Sequence, residues 1–266
     1  MIDIRTTAYR WLLAGGLLLA CAASSFAQGP YVILANDARI DGTDIRARSD
    51  GTIILTTAQG QREFTRGQYK RAVAARPAEI DRARQLAQQK NFDEALKQLE
   101  TVIQNFRFLD WDNQARLLSA QIQSMKGDHA AAVTSYERLF QAAPDQRKES
   151  AVLWGYLAAL AEAKLTDKLN PQLEELITKG SRTDAARAQV LRGDVKMAQG
   201  QVEGAVMDYL RSALLFESER AVLPEALFKA AEGLERLRDP RSRDLYKRVA
   251  TEFGGTPYAQ RAQGKF

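Results

Sequence analysis

Small residues recur at a nearly fixed spacing along most of this chain, and this repetition is the strongest constraint on its fold. A first column of small residues repeats every 35 to 38 positions, and a second column follows twelve positions later. Small side chains at two fixed places per unit indicate two helices that pack closely. The first column is Ala83, Ala120, Ala158, Gly193 and Ala230, and the second is Ala95, Ala132, Ala205 and Ser242.

Larger side chains form two further columns, and turn-forming residues separate the two helices of each unit. The third column is Leu99, Tyr136, Leu173, Tyr209 and Tyr246, and the fourth is Val102, Leu139, Leu176, Ser212 and Val249. The turns are Asn91, Gly127-Asp128, Gly200-Gln201 and Asp239-Pro240. One helix pair cannot bury such a face alone. The pattern therefore predicts about five stacked pairs, a mainly α solenoid with a groove along the first helices.

These residues resemble the tetratricopeptide repeat family from approximately Pro77 to Tyr258. The segments 90–95 and 126–132 are similar to the family's turn signature, and Tyr136 and Pro144 match its later positions. The resemblance implies a scaffold that binds a protein partner in its groove. The third unit departs most, because Leu169 stands where a small residue belongs. Pro171 fits the first turn of that unit's second helix, which we expect to be shortened and displaced.

The segment before the repeats has an alternating pattern that is typical of strands. β-rich runs cover 31–35, 43–48, 52–57 and 62–65, with turn formers at Asp41-Gly42, at 49–51 and at 59–61. We predict a small antiparallel β meander. The resulting domains are a signal peptide at 1–27, the β module at 28–76 and the repeat domain at 77–266.

The first residues have the features of a secretory signal peptide. Arg5 and Arg10 precede the apolar run 11–20, which is too short for a membrane span. Ser25 and Ala27 favour cleavage before Gln28. The alternative is lipidation at Cys21, since 18–21 resembles a lipobox in which Leu19 is atypical. We therefore expect a periplasmic protein or, through Cys21, an outer-membrane lipoprotein. The last repeat, 244–257, is similar to repeats of periplasmic proteins that coordinate outer-membrane assembly and envelope constriction.

Composition and motifs favour binding over catalysis. The chain has one histidine and 38 basic against 33 acidic residues; cleavage after Ala27 leaves 36 and 32. This mild excess does not indicate nucleic acid. His129 is interpreted as a packing residue, and with no cysteine in the mature chain an ordinary zinc site is excluded. Neither a phosphate-cradling loop nor a nucleophile elbow is present, so we expect no enzyme activity and no cofactor.

Two binding surfaces follow from these patterns. The first is a groove for a protein partner, at the positions that line the family's groove: Ile80, Arg84, Gln88, Gln114, Leu117, Gln121, Val190, Asp194, Leu227 and Glu235. Apolar residues replace the family's clamp for a peptide's terminal carboxylate, so a chaperone-tail ligand is not expected. The alternative is binding of peptidoglycan or anionic lipid through the β module and its basic patch, Arg62, Arg66, Lys70, Arg71 and Arg76.

Overall fold

A computed structural model describes residues 29–266, which form two compact units. The first unit contains the described residues up to Pro77 together with the segment Phe106–Trp111. The second contains Ala78–Asn105 and Asp112–Phe266. The chain thus leaves the second unit once, between its second and third helices, and contributes six residues to the first.

Six strands build the first unit, in two three-stranded antiparallel sheets. They are β1 (Tyr31–Leu34), β2 (Arg39–Asp41), β3 (Asp44–Ala47), β4 (Ile53–Thr57), β5 (Gly60–Phe64) and β6 (Tyr69–Val73). One sheet has the order β2-β1-β6, and the other is the meander β3-β4-β5. The predicted small antiparallel module is confirmed, with β2 and β6 as strands that the sequence pattern did not indicate.

The core of the first unit is small but closed. Val32, Ile53 and Leu55 have no exposed surface, and Leu109 of the inserted segment is packed with them. The indole Nε1 of Trp111 donates a hydrogen bond to the carbonyl oxygen of Ala74 at 2.8 Å. The inserted segment therefore supplies both apolar area and a backbone contact to a module with few apolar residues of its own.

The second unit is helical throughout. Its helices are α1 (Ala78–Gln88), α2 (Phe92–Asn105), α3 (Trp111–Lys126, whose first residue belongs to the first unit), α4 (His129–Ala142), α5 (Ser150–Glu162), α6 (Thr166–Lys179), α7 (Arg182–Ala198), α8 (Val202–Leu215), α9 (Leu223–Arg236), α10 (Ser242–Glu252) and α11 (Pro257–Ala262). A short 3₁₀ helix, Pro144–Lys148, lies between α4 and α5. The predicted solenoid of five helix pairs is confirmed, and α11 follows the last pair.

The same backbone turn joins the two helices of all five pairs. One residue there has positive φ, between 56° and 88°, and the next residue's N–H donates to the carbonyl five positions back. This is the Schellman ending of a helix, in which a left-handed residue satisfies carbonyls that the helix leaves open. The left-handed residues are Lys90, Gly127, Lys164, Gly200 and Arg238. Their regular recurrence shows that the repeat is set by helix termination as well as by packing.

The small-residue columns are buried with one exception. Ala95, Ala132 and Ala205 have no exposed surface, and neither do Ala83 and Ala120. In the third pair, however, Ala158 is exposed and the preceding Leu157 is fully buried. The column assignment there was wrong by one residue. Counting back seven positions from the left-handed residue selects buried residues in all five pairs, so the turn fixes the register better than residue size does. These residues are Ala83, Ala120, Leu157, Gly193 and Ala231, the last of which is one position after the Ala230 of the predicted column.

The third pair has an ordinary second helix, contrary to expectation. Helix α6 is 14 residues long, as are α4 and α8, and Pro171 lies inside it rather than in its first turn. Leu169 and Leu173 are fully buried. The predicted shortening was wrong: α6 starts directly after the turn at Lys164 and continues through Pro171, whose ring nitrogen cannot donate to a backbone carbonyl.

None of the helices in the described part of the chain has the length and apolar character needed to cross a membrane.

Candidate protein-binding face

An aromatic and guanidinium pair links the first helices of the third and fourth pairs. The side chain of Ser181 caps α7 by accepting from the N–H of Asp184, and its hydroxyl lies 2.7 Å from a carboxylate oxygen of Asp184. This fixed carboxylate accepts a hydrogen bond from Nε1 of Trp154 on α5 at 3.0 Å. The guanidinium of Arg187 lies 4.2 Å from the centre of the Trp154 ring. The indole is therefore held at its N–H edge by Asp184, and one face of its ring is covered by Arg187.

About two helical turns beyond Arg187 on α7, a charged cluster joins α7 to α8 and α9. The ammonium of Lys229 lies 2.7 Å from a carboxylate oxygen of Asp194 and 2.6 Å from one of Glu225. The hydroxyl of Tyr209 donates to the other oxygen of Asp194 at 2.9 Å. Since all three charged side chains are only partly exposed, this cluster is solvent-accessible yet rigidly held.

Electrostatics keep the central lysine charged. Burial opposes the ammonium form, but Asp194 and Glu225 outweigh it and raise the pKa of Lys229 above its usual value. Nearby on α9, burial raises the pKa of Glu232 against the lowering effect of Arg261 and Arg236. Burial also raises the pKa of Asp194 against the lowering effect of Lys229. The cluster thus presents a fixed cation between Asp194 and Glu225.

We define the α5–α7–α9 face by Trp154, Arg187, Asp194, Glu225 and Lys229. Within the described part of the chain, Arg187 forms no salt bridge; it stacks on Trp154, and burial lowers its pKa. Stacking leaves the N–H groups at the guanidinium edge free to donate to a ligand. Tryptophan and arginine are also the side chains most often found at the energetic centre of protein interfaces. The face can therefore hold an apolar side chain and bind an oxygen acceptor beside it.

A second charged group lies between α7 and α8, where it is buried in the core. The side chain of Asp208 on α8 has no exposed surface, and it accepts from Gln189 at 2.7 Å, from Arg192 at 2.9 Å and from Lys196 at 2.7 Å. Burial alone would raise the pKa of Asp208, but the hydrogen bonds from Arg192 and Lys196 outweigh it and hold the pKa below its usual value. A ligand cannot reach this carboxylate, so we assign it to stability.

Three predicted groove residues are buried, and their assignment to an open groove is corrected. Ile80, Val190 and Leu227 expose 1%, 3% and 2% of their surface. They pack between helices because each lies on the apolar side of a first helix whose partner covers it.

The other predicted groove positions keep some exposure but lie on different helices. Leu117 is half-buried against the core that α3 to α7 share, and Glu235 accepts from Tyr246 and pairs with Lys265. Asp194 alone belongs to the α5–α7–α9 face. The remaining positions are exposed on α1 and α3: Arg84, Gln88, Gln114 and Gln121.

The predicted basic patch is partly neutralised within the first unit. Lys70 pairs with Asp37 at 2.7 Å, and Arg71 pairs with Asp110 at 2.5 Å. The other three members lie over aromatic rings: Arg62 over Phe64, Arg66 over Phe108 and Arg76 over Trp111.

The other sequence-predicted residues are His129 and Cys21, which add nothing to the α5–α7–α9 face. His129 is the first residue of α4 and is half-buried; its Nδ1 atom is buried with no hydrogen-bond partner among the described residues. The described residues include no group of three or more His, Cys, Asp or Glu side chains placed to hold a metal ion. The predicted signal peptide and Cys21 lie outside the described residues.

Sequence reasoning missed Trp154, Arg187, Glu225 and Lys229, although a signal for three of them was present. Trp154 lies ten positions before the left-handed Lys164 of its pair, and Leu117 lies ten positions before the left-handed Gly127 of the second pair, so the two are equivalent. Counting back thirteen places Arg187 and Glu225 level with Gln114. Alignment on the turns rather than on the alanine columns would have selected Trp154 and Glu225, whereas Arg187 follows from either alignment.

Comparison with known proteins gives one family model and matches to solved structures. A family model described as tetratricopeptide repeat matches residues 70–196. The solved structure of MamA 41-end from Desulfovibrio magneticus RS-1 is 18% identical with a TM-score of 0.48, covering 71% of this chain and 99% of that one. A MamA RS-1 ArsTM double mutant is 18% identical with a TM-score of 0.47, covering 72% and 100%. The comparison with curated proteins gives no match.

Proposed function

We propose that this chain is an adaptor that binds a segment of a partner protein on the α5–α7–α9 face. The proposal is supported by the match of residues 70–196 to the tetratricopeptide repeat, a family of protein-interaction scaffolds. The observation that carries the proposal is the stacked pair of Trp154 and Arg187, whose guanidinium forms no salt bridge within the described residues.

The face has the two properties that a peptide-binding surface needs. Trp154 offers apolar area at little cost in side-chain entropy, because its indole is already held by Asp184 and Arg187. Arg187 offers hydrogen-bond donors to carbonyl or carboxylate oxygens of the bound segment. The cluster around Lys229 lies beyond them and gives the segment alternating charges to match.

The test is recovery of a partner that depends on these side chains. The tagged full chain and its Trp154→Ala and Arg187→Gln variants would be used to capture proteins from extract, with Met207→Ala on the exposed surface of α8 as the control. We expect each face variant to weaken binding by about 2 kcal/mol, roughly thirtyfold, and the control to bind as the unmodified chain does. A partner retained by both face variants would contradict the proposal.

We also propose that the adaptor works in the cell envelope, in the periplasm or at the outer membrane. The support is the order of Arg5 and Arg10, the apolar run and the cleavage residues Ser25 and Ala27. Intact mass of the native protein tests this, and we expect a chain that begins at Gln28. A species that begins at Cys21 and carries diacylglycerol would make it a lipoprotein, whereas an uncleaved chain would refute export.

A further inference from the structure

The first unit contains a second charged site that is independent of the α5–α7–α9 face. Its centre is Phe108 in the inserted segment Phe106–Trp111. The guanidinium of Arg66 lies 4.8 Å from the centre of the Phe108 ring, and that of Arg107 lies 4.7 Å from it. Arg107 was not among the predicted basic residues, and it brings the second positive charge to the ring.

The backbone at this ring is held in an unfavourable conformation. Phe108 has φ of 65°, in the left-handed region that bulky residues avoid, and Asp110 has φ of 69° in the same region, which aspartate tolerates better. Such conformations persist only where surrounding contacts impose them, and they are concentrated at binding sites. Here Phe106 before the ring packs against the core of the unit, while Leu109 after it is buried in that core and Asp110 is paired with Arg71, so the segment that carries Phe108 is held at both ends.

The side chain of Arg66 is also positioned by its surroundings. It crosses Gly51, where a β-carbon would lie 2.3 Å from Nε of Arg66. Gly51 itself has φ of 89°, and its carbonyl accepts from the hydroxyl of Tyr69 at 2.7 Å. A glycine at this place therefore allows the guanidinium to reach the Phe108 ring.

The charge balance of the unit leaves these two arginines without an acidic partner. Its described residues include nine basic and six acidic side chains. Five carboxylates form salt bridges with other basic residues, and Asp50 accepts from the N–H of Thr52. Neither Arg66 nor Arg107 forms a salt bridge within the described residues, and both are exposed.

We infer that Arg66, Arg107 and Phe108 form a binding site for the carboxylates of an acidic protein segment. Guanidinium groups stacked on a ring keep their donor edges free, and each edge fits a carboxylate with two hydrogen bonds. A discrete segment fits better than an anionic membrane, because the same unit also exposes carboxylates such as Glu63 and Asp37, which an extended anionic surface would repel.

The test measures binding of a fluorescent hexaglutamate peptide to the full chain by anisotropy at low salt. We expect Arg66→Gln and Arg107→Gln each to weaken binding about tenfold or more, since each removes a charge-assisted contact. Arg46→Gln is the matched control: it removes the same charge from an exposed arginine of this unit, and we expect less than a twofold change. A hexaglutamine peptide should not bind.

A variant of unchanged charge separates geometry from net charge. Gly51→Ala should displace the guanidinium of Arg66 and weaken hexaglutamate binding several-fold, with folding checked by melting temperature. If this variant does not fold, the two arginine variants still decide. Equal losses in Arg46→Gln and Arg66→Gln would overturn the inference, and so would arginine-dependent binding of phosphatidylglycerol vesicles or inorganic phosphate without binding of hexaglutamate.

Discussion

The third and fourth helix pairs have the same turn but differ in what fills their cores. In the third pair, α5 and α6 meet through apolar side chains, with Leu157, Leu169 and Leu173 fully buried. In the fourth pair, α7 and α8 enclose the carboxylate of Asp208 with donors from Gln189, Arg192 and Lys196. The comparison teaches that helix termination sets the repeat geometry, while the filling between the helices can change from apolar to ionic.

Close approach is also achieved differently in the two pairs. In the fourth pair a β-carbon on Gly193 would lie 2.4 Å from the ring of Tyr209, in the next helix of the same pair. In the third pair a β-carbon on Gly155 would lie 2.3 Å from the hydroxyl of Tyr136, which belongs to the preceding pair. A close contact between a glycine and a tyrosine therefore occurs within the fourth pair and also between the second and third pairs.

The largest expected effect is in the apolar pair. Leu169→Ala removes a fully buried side chain from a core that is filled mainly by apolar side chains, so we expect a loss of about 3 kcal/mol in the free energy of unfolding. Denaturant titration of the full chain checks this. Leu165→Ala, at an exposed position four residues earlier, is the control and should change stability much less.

The ionic pair should give a loss of similar size with a different pH dependence. Asp208→Asn leaves Arg192 and Lys196 without their shared carboxylate, and we expect a cost of about 3 kcal/mol at pH 7. Because the folded pKa of Asp208 is lowered, its stabilising effect is complete above the unfolded pKa of about 4 and is lost as pH falls through the folded value.

Melting curves at several pH values separate the two pairs. The difference between the unmodified chain and Asp208→Asn should shrink below about pH 4. The difference caused by Leu169→Ala should show no such change. An Asp208→Asn effect that stays constant down to pH 2 would show that the charge on this carboxylate contributes little.

Placing a leucine at the position of the second pair equivalent to Leu169 tests the importance of residue size at this point of the repeat. The equivalent residue in the second pair is Ala132, which is fully buried. We expect Ala132→Leu to overpack the contact with α3 and to cost about 2 kcal/mol. An unchanged melting temperature would show that the register of α3 and α4 is wrong, whereas Ala130→Leu, exposed on the same helix, should be tolerated.

The smallest expected effect concerns the shared turn. Lys164→Gly removes a side chain that is unfavourable at φ of 58°, so we expect a gain of less than about 1 kcal/mol. Gly127→Lys makes the opposite change at the equivalent turn and should cost about as much. If both substitutions destabilise the chain, the side chain of Lys164 contributes contacts that outweigh its strained backbone.

The repeat architecture could be predicted because small residues and turn residues recur in step. The register of α5 could not, since Leu157, Ala158 and Ala159 offer three candidates for one column; burial excludes only Ala158, and the distance from the left-handed Lys164 selects Leu157. The left-handed turn residues could not be predicted at three of the five turns, because lysine or arginine occupies the position where glycine is expected.

The binding surfaces were less predictable for a different reason. Ile80 and Val190 occupy positions that line the family's groove, yet here they are covered by neighbouring helices. In the first unit, β6 contains Lys70 and Arg71 and was interpreted as a basic segment rather than as a strand. The contribution of Phe106–Trp111 to that unit depends on contacts distant in sequence, which no local pattern contains.

Site-specific photo-crosslinking in cells tests the central claim, that the α5–α7–α9 face binds a protein, most directly. The photoreactive residue would replace Ala158, which is exposed on α5 one turn from Trp154, and in a control it would replace Met207, which is exposed on α8. We predict a discrete crosslinked partner from position 158 that is lost with Arg187→Gln and absent from position 207. Crosslinks from position 207 alone, or a product at position 158 that Arg187→Gln leaves unchanged, would contradict the account.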